Sequence, residues 1–318
     1  MKYSNKLSRT RLKASCVAIG SFDGVHYGHQ VLIKRMMESA HKHNVPSVVI
    51  NFYPQPIVVF KKLKRDFYIS TLEERIDLIE KLGVDHMITI PFTEKLGEMS
   101  AERFLRKLKR RLGLKELWVG EDFALGRERD ADVHHIREIG RNLGFETHAI
   151  ERVRIGGADI SSTVIRELLR VGYLEGAEEF LGRPFKIYGP VIHGAARGRT
   201  LGYPTANVAI SPLRVALRMG VYWTRFTVDG VTYPAATSVG TNPTFIHLEN
   251  PPISIETYII DFDGDIYDKM VSIEFKKYLR DQIFFHSLEN MIDQLAEDVE
   301  VVRGLEEYVN SGAANLLT

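Results

Sequence analysis

The sequence predicts an α/β half followed by an all-β half, and three observations carry that expectation. From about residue 14 to 170, short β-branched runs alternate with amphipathic segments of helical period, the rhythm of a parallel sheet covered by helices. Beyond Gly182-Arg183-Pro184 the rhythm changes to strands joined by tight turns, as in a small antiparallel barrel. At 318 residues and 44% hydrophobic content the chain exceeds one ordinary core, so two domains of roughly 100 to 200 residues are expected. The boundary is placed near residue 183, separating 1–183 from 184–318.

The opening stretch Met1 to Lys13 carries Lys2, Lys6, Arg9, Arg11 and Lys13 and reads as a solvated lead-in to a strand. The apolar segment after it, Cys16 to Ile19, is too short for a signal-peptide core. Strands are predicted at Ser15–Ile19, Ser47–Phe52, His86–Ile90, Leu117–Val119 and Glu146–Ile150. Between them, Leu32, Met36 and Ala40 mark one helix face, Leu72, Ile76 and Ile79 a second, and Phe104, Leu108 and Leu112 a third. Arg106, Lys107, Lys109, Arg110 and Arg111 fall on that third helix and read as its solvated side. In the second half Asp229-Gly230 joins Val221–Val228 to Val231–Ala236, and Asp263-Gly264 is expected to join Ile253–Phe262 to Ile266–Phe275. A last helix begins after the N-cap candidate Ser287, with Leu288, Met291, Ile292, Leu295, Val299 and Val302 at helical spacing.

Composition narrows the function. Lys and Arg total 42 against 41 acids, which leaves no basic field for nucleic acid or an anionic membrane. No apolar run approaches the ~18 residues of a membrane span. Cys16 is the single cysteine, which excludes an internal disulfide or a cysteine-rich zinc site and fits a reducing cytoplasm. The expectation is a cytoplasmic protein, monomeric or weakly self-associating, whose partners are small molecules.

A first constellation follows the first strand: Gly20-Ser21-Phe22-Asp23-Gly24-Val25-His26-Tyr27-Gly28-His29, with a helix opening at once. Strand, glycine-bearing turn and helix N-terminus in that order favour a phosphate, because backbone N–H groups and the helix dipole point at it. Gly28 permits close approach, and His26 and His29 can donate hydrogen bonds to phosphate oxygens. The plain alternative makes the histidines turn and cap residues. A second part, Ile160-Ser161-Ser162-Thr163-Val164-Ile165-Arg166, opens another helix. Capping explains a hydroxyl there, but Arg166 near the positive end of a dipole calls for an anion such as a triphosphate. Together these parts suit attack of a phosphate oxygen on the α-phosphorus of ATP, a reaction that needs positioning and charge stabilisation, not a covalent nucleophile. Neither a Gly-x-x-x-x-Gly-Lys-Ser/Thr loop nor a Gly-x-Gly-x-x-Gly fingerprint occurs. Lys269-Met270-Val271-Ser272 lacks the second lysine of an aminoacyl-tRNA synthetase loop and reads as a strand.

The second constellation, Gly198-Arg199-Thr200-Leu201-Gly202-Tyr203-Pro204-Thr205-Ala206-Asn207, puts Thr205 and Asn207 oxygens beside a glycine-bearing turn. Such neutral oxygens suit Mg²⁺ held jointly with substrate phosphates, whereas a polar turn between strands is the bland alternative. Downstream, Ile255-Glu256-Thr257-Tyr258-Ile259 alternates, sending Glu256 and Tyr258 to one face. A carboxylate on an inward face can take the proton of a substrate hydroxyl during phosphoryl transfer.

Four blocks in order now resemble the bacterial bifunctional riboflavin kinase/FAD synthetase family, from about Val17 to Arg303: Phe22 to His29, Ser161 to Arg166, Leu201 to Asn207, and Val239-Gly240-Thr241-Asn242-Pro243-Thr244-Phe245 with Glu256. The resemblance implies a Rossmann-like nucleotidyltransferase domain and a six-stranded antiparallel riboflavin-kinase barrel with a terminal helix. It implies that riboflavin is phosphorylated by ATP and Mg²⁺ to FMN and that FMN is then adenylylated to FAD. The implied catalytic residues are Glu256, as kinase base, with His26, His29 and Arg166 on the ATP phosphates in adenylylation. ATP and phosphate contacts fall on Gly20, Phe22, Asp23, Gly24, Gly28, Ser162, Thr163, Gly198, Thr205 and Asn207, with Thr205 and Asn207 also on the metal. Flavin contacts fall on Asn51, Pro54, Asp122 and Tyr258. The chain departs from the pattern at Gln55, where histidine is usual, at Ala124-Leu125, where Arg-Phe is usual, and at Asp268, where glycine is common. The first two remove donor or cationic capacity from the adenylylation half. Two other readings stand beside this one: a riboflavin kinase with a diverged nucleotidyltransferase half, and a non-catalytic flavin sensor, against which Glu256, Thr205 and Asn207 speak.

Overall fold

The computed structural model describes residues 1–194, 202–241 and 253–311, and the chain divides into two compact units, Met1–Val164 and Ile165–Thr318. In the first unit β1 (Lys2–Ser4), β2 (Ser15–Gly20), β3 (Ser47–Phe52), β4 (His86–Ile90), β5 (Leu114–Gly120) and β6 (Glu146–Ile150) form one sheet in the order β1-β4-β3-β2-β5-β6. Every pairing in it is parallel. The opening arm therefore differs from the solvated lead-in expected: Lys2–Ser4 pairs with β4 at the sheet edge. A strand so short has too few side chains to show a period, and it is held by backbone hydrogen bonds that leave no mark on composition.

The helices of this unit are α1 (Tyr27–Lys42), α2 (Pro56–Phe60), α3 (Leu72–Lys81), α4 (Glu94–Gly97), α5 (Ala101–Leu112) and α6 (Val133–Leu143). Because successive strand residues point to opposite faces, β2 divides its side chains between two cores. Cys16 and Ala18 join Leu32, Ile33 and Met36 of α1 and Ile79 of α3. Val17 and Ile19 join Phe104, Leu105 and Leu108 of α5 and Ile136 and Ile139 of α6. Burial on both faces is why these strands read as unbroken apolar runs. The basic residues of α5 stay at its surface, with Arg106 and Arg110 exposed. The chain winds outward from β2 through β3 to β4 and returns to β5 on the other side of β2. That reversal opens a crevice at the carboxyl ends of β2 and β5, where open α/β sheets take ligands.

In the second unit, α7 (Ser162–Val171), whose first turn belongs to the first unit, and α8 (Leu174–Leu181) precede six strands. These are β7 (Phe185–Ile192), β8 (Thr205–Val208), β9 (Gly220–Val228), β10 (Val231–Thr241), β11 (Ile253–Ile259) and β12 (Met270–Arg280). They close into an antiparallel barrel in the order β7-β8-β11-β10-β9-β12. Asp229 and Gly230, at φ 51° and 80°, make the expected tight turn between β9 and β10. The second expected hairpin is corrected: β11 pairs with β8 and β10, and β12 with β7 and β9, so the two are not neighbours. Neither Asp263 nor Gly264 has the positive φ of such a turn. An Asp-Gly pair signals a turn locally, but barrel closure decides which strands meet.

Ser287 caps α9 (Leu288–Asn310), its Oγ accepting from the Asn290 N–H at 3.2 Å. The helix is anchored by its second half. Val299 and Val302 pack on Trp223, Ala236 and Ile260, two arginines grip its carboxylates, Arg280 on Asp298 and Arg225 on Glu306, and its own Arg303 holds Asp261. Leu288, the first residue of the apolar stripe, is 57% exposed. Inside the barrel Thr224, Thr237 and Thr257 are fully buried and linked through their hydroxyls, at 2.7 Å and 3.0 Å.

Candidate functional site

In the first unit, the loop leaving β2 carries left-handed backbone at Phe22 (φ 46°), Gly24 (φ 76°) and Val25 (φ 41°). Two of these are non-glycine, a conformation that persists only where surroundings over-determine it. They do. The buried Asp23 carboxylate accepts from the backbone N–H groups of Ile69 and Ser70 and from Arg75, each at 3.1 Å. Arg75, also fully buried, donates to the Ser21 and Ser70 carbonyls and lies near the Tyr53 and Tyr68 rings. The Gly24 N–H donates to Ser70 Oγ at 2.8 Å. Arg75 was not among the sequence candidates, although the signal was present: it precedes Ile79 by four on the buried stripe of α3, where an arginine requires a partner.

This loop delivers two histidines to the N-terminus of α1. His26 caps the helix, its Nδ1 accepting from the His29 N–H at 3.3 Å, and the two rings stack with centroids 3.6 Å apart. A Cβ on Gly28 would lie 3.3 Å from the His26 ring, so the glycine admits the stack. The capping role and a place in the cavity coexist, since His26, Gly28 and His29 all line it. His29 Nδ1 is buried without a hydrogen-bond partner. Burial, then the neighbouring His26 and Arg75, hold the His29 imidazole well below its ordinary pKa, so it is neutral at pH 7.

The cavity, of about 910 Å³, lies at the carboxyl ends of β2 and β5. Its polar end is built from Gly20, Ser21, the histidines, Ser161 and Ser162; its apolar end from Phe52, Phe60, Phe92, Leu96 and Phe104. Phe92 meets Phe52 and Phe60 edge-on at 5.9 Å and 5.5 Å. Asp122, Ala124 and Leu125 also line it, with Arg129 donating to the Asp122 carbonyl and Arg152 paired with the Asp122 carboxylate at 3.2 Å. Neither arginine was singled out in the sequence. Ser161, not its neighbours, caps α7, accepting from the Val164 N–H at 3.3 Å, and Ser162 Oγ donates to the Asp23 carbonyl at 3.0 Å. Thr163 is exposed, and Arg166 is buried on α7 in the second unit. Asn51 is fully buried at the end of β3: its Oδ1 accepts from Thr89 at 2.6 Å while its Nδ2 has no hydrogen-bond partner. The Gln55 side-chain Nε2 is likewise buried and unpaired, just past Pro54.

In the second unit, β8 and β11 pair so that Thr205 faces Tyr258 and Asn207 faces Glu256. Ser238 flanks Glu256 from β10, a neighbour that strand alternation alone does not show. Ala206, Val208, Ile255, Thr257 and Ile259 fill the barrel, so Glu256, on the face it shares with Tyr258, stands on the barrel's outer, half-buried side. The periodicity identified which residues share a side; barrel closure decided which side is the core. Tyr258 packs edge-on to Tyr203 at 5.1 Å, beside the apolar patch under α9. Gly194 backs Asn207 so closely that a Cβ would lie 2.2 Å from its Nδ2. Gly198 and residues 242–245 lie outside the described residues.

Family models match both halves, FAD synthetase over residues 8–164 and riboflavin kinase over 181–305. A bifunctional riboflavin kinase/FMN adenylyltransferase of Pseudomonas fluorescens is 37% identical over 299 residues, 91% of this chain and 93% of the relative. One from Escherichia coli K12 is 33% identical over 92% of this chain and 93% of its own length. A crystal structure described as a macrolide-efflux protein from Streptococcus pneumoniae shares the fold with TM-score 0.84 and 29% identity, covering 95% of this chain and 98% of the other. Among the described residues, no helix of this chain is long and apolar enough to cross a membrane.

Proposed function

The chain belongs to the bifunctional riboflavin kinase/FMN adenylyltransferase family, and from that premise we propose that it phosphorylates riboflavin with ATP to FMN and then adenylylates FMN with ATP to FAD, releasing pyrophosphate. The observation that carries the reading is that motif residues gather separately in the two units: His26 and His29 line the cavity of the first, and Asn207 stands opposite Glu256 in the second. Residues 1–183 are assigned to adenylyl transfer and 184–318 to phosphorylation.

For adenylylation, the polar end of the cavity takes the ATP phosphates. Gly20, Phe22, Asp23, Gly24 and Gly28 set the shape of the loop, with Asp23 acting through the backbone it holds. Neutral His29 donates one hydrogen bond to a phosphate oxygen, and His26 sits against it. Ser162 and Thr163 bring the start of α7 to the same anion, where the helix dipole adds to theirs. These groups stabilise charge spreading onto the departing pyrophosphate. The aromatic end suits the flat flavin ring, with the unpaired Asn51 amide, Pro54 and Asp122 as its polar contacts.

For phosphorylation, Glu256 takes the proton of the riboflavin hydroxyl as it attacks the γ-phosphorus. Thr205, Asn207 and Gly198 hold the phosphates, and Tyr258 offers a ring beside the flavin. Thr205 and Asn207 present oxygens on one face beside the Glu256 carboxylate, a hard donor set that fits Mg²⁺. The ion, when bound, neutralises charge on the β- and γ-phosphates. The setting is cytoplasmic.

The test is a time course of purified protein with riboflavin, ATP and Mg²⁺, products separated chromatographically. FMN should rise first and FAD follow. FMN as the sole product, even with FMN supplied in excess, would refute the adenylylation half of the proposal.

A further inference from the structure

We propose that this protein carries a site for one divalent first-row transition ion at the amino-terminal edge of its parallel sheet, with Glu116, Glu146 and His148 as ligands. Nothing in the two flavin reactions uses this cluster. Glu116 lies four residues before Gly120 on β5, so at about 3.3 Å per residue it is roughly 13 Å from the cavity end of that strand. Glu146 stands beside it in register on β6, and His148 follows two residues on.

The distances are those of ligands sharing an ion. His148 Nε2 lies 3.8 Å from Glu116 Oε2 and 3.6 Å from Glu146 Oε2, and the donor atoms of all three residues fall within 4.8 Å of one another. Donors bound tetrahedrally at about 2.1 Å stand about 3.4 Å apart. The separations are too long for hydrogen bonds. His148 Nε2 is buried and has no hydrogen-bond partner, and its ring is fixed by stacking on Trp118, centroids 4.3 Å apart.

Surrounding groups hold Glu116 as a ligating carboxylate is held. Its Oε2 accepts from Ser39 Oγ at 2.6 Å, from Trp118 Nε1 at 2.9 Å and from the Cys16 Sγ–H at 3.5 Å, and its Oε1 lies 2.9 Å from His43 Nε2. Glu116 is 5% exposed, and among the described residues no lysine or arginine pairs with it; its ion-pair partners are the two imidazoles. A buried carboxylate so placed gains from a cation. His43 also caps the carboxyl end of α1, where the helix dipole favours positive charge. One imidazole with two carboxylates suits zinc or its neighbours in the series better than Mg²⁺ or Ca²⁺, which take oxygen ligands. Bound there, the ion would tie edge strand β6 to β5 and, through the Glu116 hydrogen bonds, to α1.

The test uses the full-length protein in excess Mg²⁺, titrated with zinc chloride by calorimetry, with an anomalous difference map from zinc-soaked crystals. One ion per chain should bind, with its peak within bonding distance of His148 Nε2 and both glutamates. His148→Ala and Glu146→Gln, both at the sheet margin and outside the flavin sites, should each weaken binding about tenfold or more while leaving FMN and FAD formation unchanged. Zinc should raise the unfolding midpoint of the parent and not of the variants. Equal zinc affinity in parent and variants, no binding, or a peak at His26 and His29 or at His134 and His135 would each overturn the assignment.

Discussion

Asn207 lies directly opposite Glu256 across the β8–β11 ladder, which places an amide and a carboxylate about 4.5–5.5 Å apart at Cβ on the outer face of the barrel. One residue can thus hold a phosphate or its cation while the other faces the attacking hydroxyl. Glu256→Gln keeps the shape and removes the base, and FMN formation should fall by about a hundredfold to ten-thousandfold. FAD formation from supplied FMN should be unchanged. Equal loss of both activities in a folded variant would show that the two chemistries are not divided between the units.

His29→Ala should act in reverse, lowering adenylylation by about a hundredfold or more with riboflavin phosphorylation retained. The depressed pKa of His29 also sets a pH dependence. An unfolded histidine binds a proton near its ordinary value of about 6.5, whereas the native one resists it, so this group's contribution is complete above that value and is lost as pH falls through it toward the folded pKa. Denaturant unfolding at stepped pH should show the parent losing stability below about pH 6.5 more steeply than His29→Ala. Parallel profiles would remove His29 from the account.

The sequence disclosed elements wherever a period or a motif was complete. β3, β4 and β6 stand at the predicted residues, and the Ser287 cap is in place, because each depends on local side-chain pattern. The failures share a cause. The edge strand Lys2–Ser4 and the pairing of β12 with β7 and β9 are set by contacts between distant segments. The candidate site shows the same division. His26, His29 and Asn207 were legible from motifs, whereas Arg75 and Arg152 act through partners far along the chain, Asp23 and Asp122.

Arg75 holds the loop that presents the histidines. Arg75→Leu should strand the buried Asp23 carboxylate and cost about 3–5 kcal/mol, read as a shift in the urea midpoint. Arg75→Lys should recover only part of that, because a lysine cannot serve Asp23, Ser21 and Ser70 from one planar head. Adenylylation should suffer at temperatures where phosphorylation persists. If the leucine variant unfolded at the parent's midpoint, the Asp23–Arg75 pair would not be what maintains the left-handed turn.

The threonine chain inside the barrel offers a test that separates hydrogen bonding from packing. Thr237 is its middle member, bonded to Thr224 at 2.7 Å and Thr257 at 3.0 Å. Thr237→Val conserves shape but leaves the Thr257 hydroxyl, in a fully buried position, without that partner; the expected loss is about 1–3 kcal/mol. Replacing Thr224, Thr237 and Thr257 together by valine removes donors and acceptors at once, so the triple variant should be more stable than the single one. Chemical denaturation of the two variants decides it. A triple variant less stable than Thr237→Val would mean that the hydroxyls contribute by more than satisfying one another, through the Thr224 bond to the Ala235 carbonyl that fastens β9 to β10.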